Sequence, residues 1–160
     1  MEILPFLTNP ESYPHATAGE IKHIETHISH IFLCGGYAYK MKKGLDLGFL
    51  DFTSLEKRKY YCEEELRLNS IFAPEIYLEV VPVYEKDGKF SFRQRGKVVE
   101  YLLKMKEFKQ EKILSEIVER GDCSSDLFTE LAQKLARIHD KADSNEEISN
   151  YASVKQIRKI

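Results

Sequence analysis

No apolar run in the 160-residue chain approaches the roughly 20 residues that a membrane-spanning helix needs. No membrane segment is therefore predicted. Cysteine is scarce: Cys34, Cys62 and Cys123 lie far apart, their number is odd, and no C-x-x-C pair occurs. That arrangement offers no disulfide framework and no thiolate metal site. With no recognisable signal peptide, it predicts reduced thiols and a cytoplasmic protein. Nor is there a surplus of one charge. The 24 Lys and Arg against 26 Asp and Glu leave a net charge of −2. A dedicated nucleic-acid binder needs surplus cations to neutralise phosphates, so that class is excluded, and no basic aromatic stripe argues otherwise. Nothing repeats internally.

What is present suits a folded core. Hydrophobic residues make up 42% and aromatics 11%, which excludes disorder of the whole chain. A chain of this length buries roughly two thirds of the surface its unfolded form exposes, so neither disulfide nor metal is needed. Three histidines cluster at His23, His27 and His30. The local pattern reads as one strand, which puts His23 and His27 on one face and His30 on the other. No metal site is expected from them.

The first 19 residues hold Pro5, Pro10 and Pro14 and read as an arm with one short helical turn. Residues 20 to 43 read as strands, with a hairpin around Gly35-Gly36. Ile24, Thr26 and Ile28 would share a buried face. The stretch from Leu45 to Phe52 reads as a strand or extended loop broken by Gly48. A helix follows, with Thr53 and Glu56 at capping-box spacing and Ala73-Pro74 as its stop. Residues Ile76 to Tyr84 and Lys97 to Met105 read as strands, and Asp87-Gly88 marks a turn between them. After Phe108 the spacing becomes helical, with Gly121 ending one helix and Ser124 or Ser125 capping the next. Ile148, Tyr151, Val154, Ile157 and Ile160 again have helical spacing. Strands segregated from helices predict an α+β fold. The predicted division is 1–108 for the sheet-bearing part and 109–160 for a helical segment. The apolar spacing within 144–160 predicts a face that self-associates or meets a partner.

The strongest chemical feature is Lys40 on a strand after a glycine turn, followed by a helix carrying Glu63, Glu64 and Glu65. A strand lysine aimed into a cleft can hold phosphate oxygens, and a helix glutamate can orient it as an ion pair. Lys42 and Lys43 read as a solvated pair, with an extension of the phosphate site as the alternative.

Between Tyr13 and His139 the chain also resembles the N-terminal part of the aminoglycoside-phosphotransferase family of bacterial, protein-kinase-like proteins, often fused to a P-loop ATP-binding domain. The resemblance rests on ordered words. They include Tyr13-Pro14-His15, Glu25-Thr26-His27-Ile28-Ser29, Tyr39-Lys40-Met41-Lys42-Lys43, Gly48-Phe49-Leu50-Asp51-Phe52 and Cys62-Glu63-Glu64-Glu65-Leu66-Arg67-Leu68-Asn69. Val80-Val81-Pro82, Lys104-Met105 and Leu135-Ala136 with His139 follow. The resemblance implies a kinase-like N-lobe followed by the helical start of a truncated C-lobe, with ATP and Mg as cofactors. Lys40 would bind phosphate, with Glu65 as its partner and Glu63 as the next choice. Lys104-Met105-Lys106-Glu107 would form the hinge against adenine, and Ser29 to Phe32 would lie at or near the hairpin turn over the phosphates. Two family features are missing. There is no G-x-G-x-x-G and no H-x-D, since His139 and Asp140 are adjacent. Although Asn145 follows Asp140 by five residues, Phe128 to Ala142 reads as one continuous helix, which in the family precedes the catalytic loop. No catalytic residue and no metal ligand is assigned. The expected function is the ATP-binding lobe of a small-molecule phosphotransferase, inactive alone; a missing C-lobe or P-loop domain would be its partner. The alternative is a non-catalytic interaction or regulatory module with a degenerate nucleotide site.

Overall fold

Turn chemistry decides most of the strand boundaries. Gly35 and Gly36 take φ of 58° and 79°, a left-handed pair that side chains resist. They join β2 (Ser29–Cys34) to β3 (Tyr37–Lys42). Asp87 and Gly88 do the same with φ of 51° and 76°. They join β4 (Tyr77–Lys86) to β5 (Lys89–Ser91). The computed structural model describes residues 2–15, 19–151 and 153–158.

The run read from the sequence as one strand is two. β1 (Lys22–Glu25) ends at a turn over Thr26 to Ile28, and β2 returns antiparallel beside it. Thr26 makes this turn without glycine. Its hydroxyl accepts from the Ser29 N–H at 3.0 Å, and its own N–H donates to the Ser29 carbonyl at 2.9 Å. The shared face of Ile24, Thr26 and Ile28 therefore does not form. His23 and His30 are brought together across the hairpin, Nε2 to Nδ1 at 3.0 Å, instead of standing on opposite faces. Among the described residues no group of three His, Cys, Asp or Glu could hold a metal ion.

β6 (Lys97–Lys106) completes a six-stranded antiparallel sheet in the order β1-β2-β3-β6-β4-β5. The fold is α+β. Before β1 come a short helix α1 (Leu4–Leu7) and a 3-10 turn at Pro10–Ser12. Leu7 and Tyr13 from this arm pack with Phe32, Tyr39, Val83 and Leu102 on one face of the sheet. The Tyr13 hydroxyl donates to the Leu7 carbonyl at 2.7 Å. The opposite face carries α2 (Leu55–Phe72), whose Cys62 packs with Ala38, Leu103 and Met105.

The start of α2 lies one residue later than the capping box implied. Ser54 accepts from the Lys57 N–H, while the Thr53 hydroxyl donates to Asp51. Asp51 also pairs with Lys57. The helix stops at Ala73, ahead of Pro74. Its seating on the sheet is fixed by Arg58, whose Nε donates to both carboxylate oxygens of Glu100 at 2.9 and 3.0 Å. Glu100 sits at a bulge: Val83 pairs with Glu100 and Tyr84 with Val98, leaving Val99 as an extra residue. By simple alternation Glu100 would share the face of Leu102, away from α2. The bulge re-aims it toward the helix.

Two units divide at Gln110. The second holds α3 (Leu114–Glu119), α4 (Ser125–His139), α5 (Glu146–Tyr151) and α6 (Val154–Ile157). Ser124 caps α4 by accepting from the Leu127 N–H. Gly121, with φ of 75°, follows α3. Ile160 lies outside the described residues. No helix among the described residues is long and apolar enough to cross a membrane.

Candidate functional site

Strand alternation places Lys40 and Lys42 on the same face of β3 as Ala38, the face that α2 covers. Helical spacing places Arg58, Cys62, Glu65 and Asn69 on the side of α2 that meets the sheet. Two periodicities thus converge on one carboxylate. Lys40 Nζ lies 2.7 Å from Glu65 Oε1, and Lys42 Nζ lies 2.7 Å from Glu65 Oε2. Each oxygen has its own ammonium group. Asn69 Nδ2 donates to the Glu65 carbonyl at 3.0 Å and so supports the turn of helix below it.

The three side chains are not equally accessible. Lys40 is 23% exposed and Glu65 17%, whereas Lys42 is 6% exposed. Lys42 also stands 5.1 Å from the centre of the Phe52 ring, a cation–π contact. Phe52 is itself buried and meets Tyr61 of α2 edge-on at 5.0 Å. Lys42 is therefore a core residue, in contrast to the solvated pair read from Lys42-Lys43. Lys43 does point outward, to Glu25 at 2.6 Å.

Burial pushes the Glu65 carboxyl up. The hydrogen bonds and charges of Lys40 and Lys42 outweigh that push and hold it below its ordinary value. Glu65 is accordingly an anion at neutral pH. Burial, with Glu65 as a smaller contribution, raises the Tyr77 hydroxyl beside it.

Lys40 and Glu65 form one wall of a cavity of about 280 Å³. Ile24, Ile31, Leu33 and Ala38 supply apolar sheet surface, and Met105 and Phe108 lie along the chain leaving β6. Two larger hollows, of about 430 and 490 Å³, lie by the N-terminal arm and the β4–β5 turn; the second is bordered by the Lys97–Glu85 pair, whose lysine is 75% exposed. In the 280 Å³ cavity a largely buried ion pair meets apolar sheet surface. That combination suits a ligand with an anionic end and an apolar or aromatic body.

The structure separates the other residues singled out in the sequence. Met105 is buried and lines the cavity. Glu63 pairs with Lys59 at 3.6 Å along the outside of α2 and does not reach Lys40. Lys104 pairs with Glu79 at 2.8 Å and lies over the Tyr37 ring at 4.8 Å, on the opposite face of the sheet. Lys106 is exposed at the end of β6, with its N–H given to the Ile76 carbonyl. The backbone of Lys104 to Lys106 is engaged in the ladders with β3 and β4. The Glu107 N–H is likewise given to the Gly36 carbonyl. Ser29 is fully buried opposite Lys42 in the β2–β3 register, and its hydroxyl has no hydrogen-bond partner. It does not line the cavity. Sequence reasoning did not single out Lys22 or Tyr77, which do. Lys22 was legible as a member of the alternating face that includes Ile24, once the turn at Thr26 is known.

No family model matches the chain, and no solved structure matches it. The chain is 28% identical over 130 residues to three mycobacterial proteins. They are Uncharacterized protein Mb2027c of Mycobacterium bovis and Uncharacterized proteins MT2060 and Rv2004c of Mycobacterium tuberculosis. The match covers 81% of this chain and 24% of each relative, so the chain spans about a quarter of the length of the curated relatives it matches.

Proposed function

We propose that residues 2–110 form a nucleotide-binding lobe of protein-kinase type, taking ATP, in a small-molecule phosphotransferase. The observation that carries this reading is the 2.7 Å pair between Lys40 and Glu65 at the rim of an apolar cavity. Lys40 stands on the third strand and Glu65 on the long helix that follows it. Protein kinases use that relation to anchor nucleotide phosphates. Ala38, Leu33 and Met105 would hold the base, and Lys40 would meet the phosphates. Mg would accompany ATP. The described residues supply no cluster of three carboxylate, His or Cys groups to hold it. The lobe's own part is therefore binding and orienting. A further lobe or P-loop domain would supply the metal ligands and the base.

The same absence favours a second reading, a non-catalytic module that binds nucleotide as a signal or has lost it. Calorimetry with ATP, with and without Mg, separates the readings. Binding is expected, and Lys40→Met should weaken it about tenfold or more by deleting a charge-assisted contact. No heat and no thermal shift at millimolar ATP would sink the nucleotide reading.

A further inference from the structure

Glu65 has two lysines where an anchoring pair needs one. We propose that Lys42 is the standing partner of Glu65, which leaves Lys40 free to move onto the phosphates of a bound nucleotide. This rests on the nucleotide reading above.

The two ammonium groups lie at equal distance from the carboxylate, 2.7 Å each. Their surroundings differ. Lys42 is enclosed, lying against the Phe52 ring at 5.1 Å, and the buried Phe52, in the loop before α2, is itself set edge-on against Tyr61. For Lys42 to leave, a buried cation would have to give up both its carboxylate and its aromatic face. Lys40 has about four times the exposure of Lys42, 23% against 6%, and already borders the cavity. It can turn toward a ligand with little rearrangement.

Charge gives the arrangement its use. With a single lysine, moving it to a phosphate would leave the Glu65 carboxylate half-buried, unpaired and facing an incoming polyanion. That is costly on two counts: desolvation without a partner, and like-charge repulsion. With Lys42 in place, a neutral Lys42–Glu65 pair stays behind when Lys40 moves. The three groups carry a net charge of about +1, so the site attracts an anion before any rearrangement. The fixed pair also keeps Glu65 close enough to orient Lys40 from the side. Lys42 is thus a positioning residue that never touches the ligand.

The test uses the full chain with ATP and adenosine as probes, plus resonances of the lysine side-chain ammonium groups. In the wild-type protein, ATP should move the Lys40 signal and leave that of Lys42 in place. Lys42→Met should weaken ATP about tenfold, the effect of roughly 1.4 kcal/mol, and leave adenosine affinity unchanged. Lys42→Arg should restore ATP binding. An unchanged ATP affinity in Lys42→Met would overturn the proposal, as would equal movement of both lysine signals in the wild type. If Lys42→Met fails to fold, the wild-type resonances decide alone. Absence of ATP binding to the wild-type chain defeats the nucleotide reading itself, and that outcome is seen before any variant is made.

Discussion

Arg58 offers the sharpest test of how α2 is held, and hence of how Glu65 is placed. Its Nε donates to both oxygens of Glu100 at 2.9 and 3.0 Å, and its Nη1 donates to the carbonyls of Phe52 and Thr53 at 3.0 and 3.2 Å. The two side chains are 14% and 10% exposed. Replacing Arg58 by Met leaves the Glu100 carboxylate buried without its cation. Breaking a buried pair from one side costs roughly 3–5 kcal/mol. Glu100 keeps one bond, from the Tyr101 N–H at 2.9 Å, so the lower end, about 3 kcal/mol, is expected. That corresponds to a fall in Tm of about 6–12 °C for a chain of this size. Urea unfolding followed by the near-ultraviolet circular dichroism of the buried tyrosines would read it. The double variant with Glu100→Met should recover most of the loss, because both charges then leave together. Lys59→Ala, which breaks the exposed pair with Glu63, should cost about 0.5 kcal/mol or less. A cost below about 1 kcal/mol for Arg58→Met would place the pair in the surface class. The claim that it seats the helix would then be wrong.

Two further measurements bear on the site and the core. The folded Glu65 carboxyl is held below its ordinary 4.5, so its contribution to stability is complete above about pH 4.5 and is lost as pH falls through the folded value. Glu65→Gln should accordingly flatten the decline of the urea midpoint below pH 4.5; a decline as steep as that of the wild type would refute the double ion pair. Cys62 is fully buried, and burial pushes its thiol up to about 11, whereas Cys123 is partly exposed. Mass spectrometry after alkylation at pH 8 should find Cys123 modified well before Cys62, and equal rates would contradict the packing of α2 on the sheet.

The features legible in the sequence are those set by local chemistry. Gly35-Gly36 and Asp87-Gly88 announce their hairpins because few residues other than glycine, asparagine and aspartate accept a positive φ. Ala73-Pro74 ends α2 because proline forbids continuation. The turn over Thr26 to Ile28 carries no such mark. A threonine side chain closes it, and alternation across residues 20–33 conceals it, so the His23–His30 contact was misread. The cap of α2 falls on Ser54 and not Thr53: the Ser54 hydroxyl accepts from the Lys57 N–H, while the Thr53 hydroxyl is turned back to donate to Asp51. The pairing of Lys40 with Glu65 was legible as a pattern. The burial of Lys42 was not, although Lys-x-Lys on a strand already implies a shared face. What hid it is tertiary: only the docked helix and Phe52 turn that face from wet to dry. Glu100 shows the same limit, since a bulge alters the side to which it points.

The two units draw on different sources of order. In residues 2–110 two apolar clusters sandwich the sheet, and the cavity bounded by Lys40, Glu65 and Met105 is built wholly within that stretch. In residues 111–158 no described residue is buried. Phe128, Leu131 and Leu135 recur on one stripe of α4 and remain 37–45% exposed. A 15-residue helix is marginal in water when propensity alone supports it. The stripe on α4 is thus a requirement for cover that its own unit does not meet, whereas the sheet unit buries two apolar clusters of its own while leaving Phe49, Tyr60 and Ile71 exposed. The Lys40–Glu65 cavity lies in the unit that buries those clusters. Phosphoryl transfer needs a base and metal ligands in addition, and neither unit gathers such a set among its described residues. On the proposed reading, recognition would fall to residues 2–110 and the chemistry to groups outside that unit.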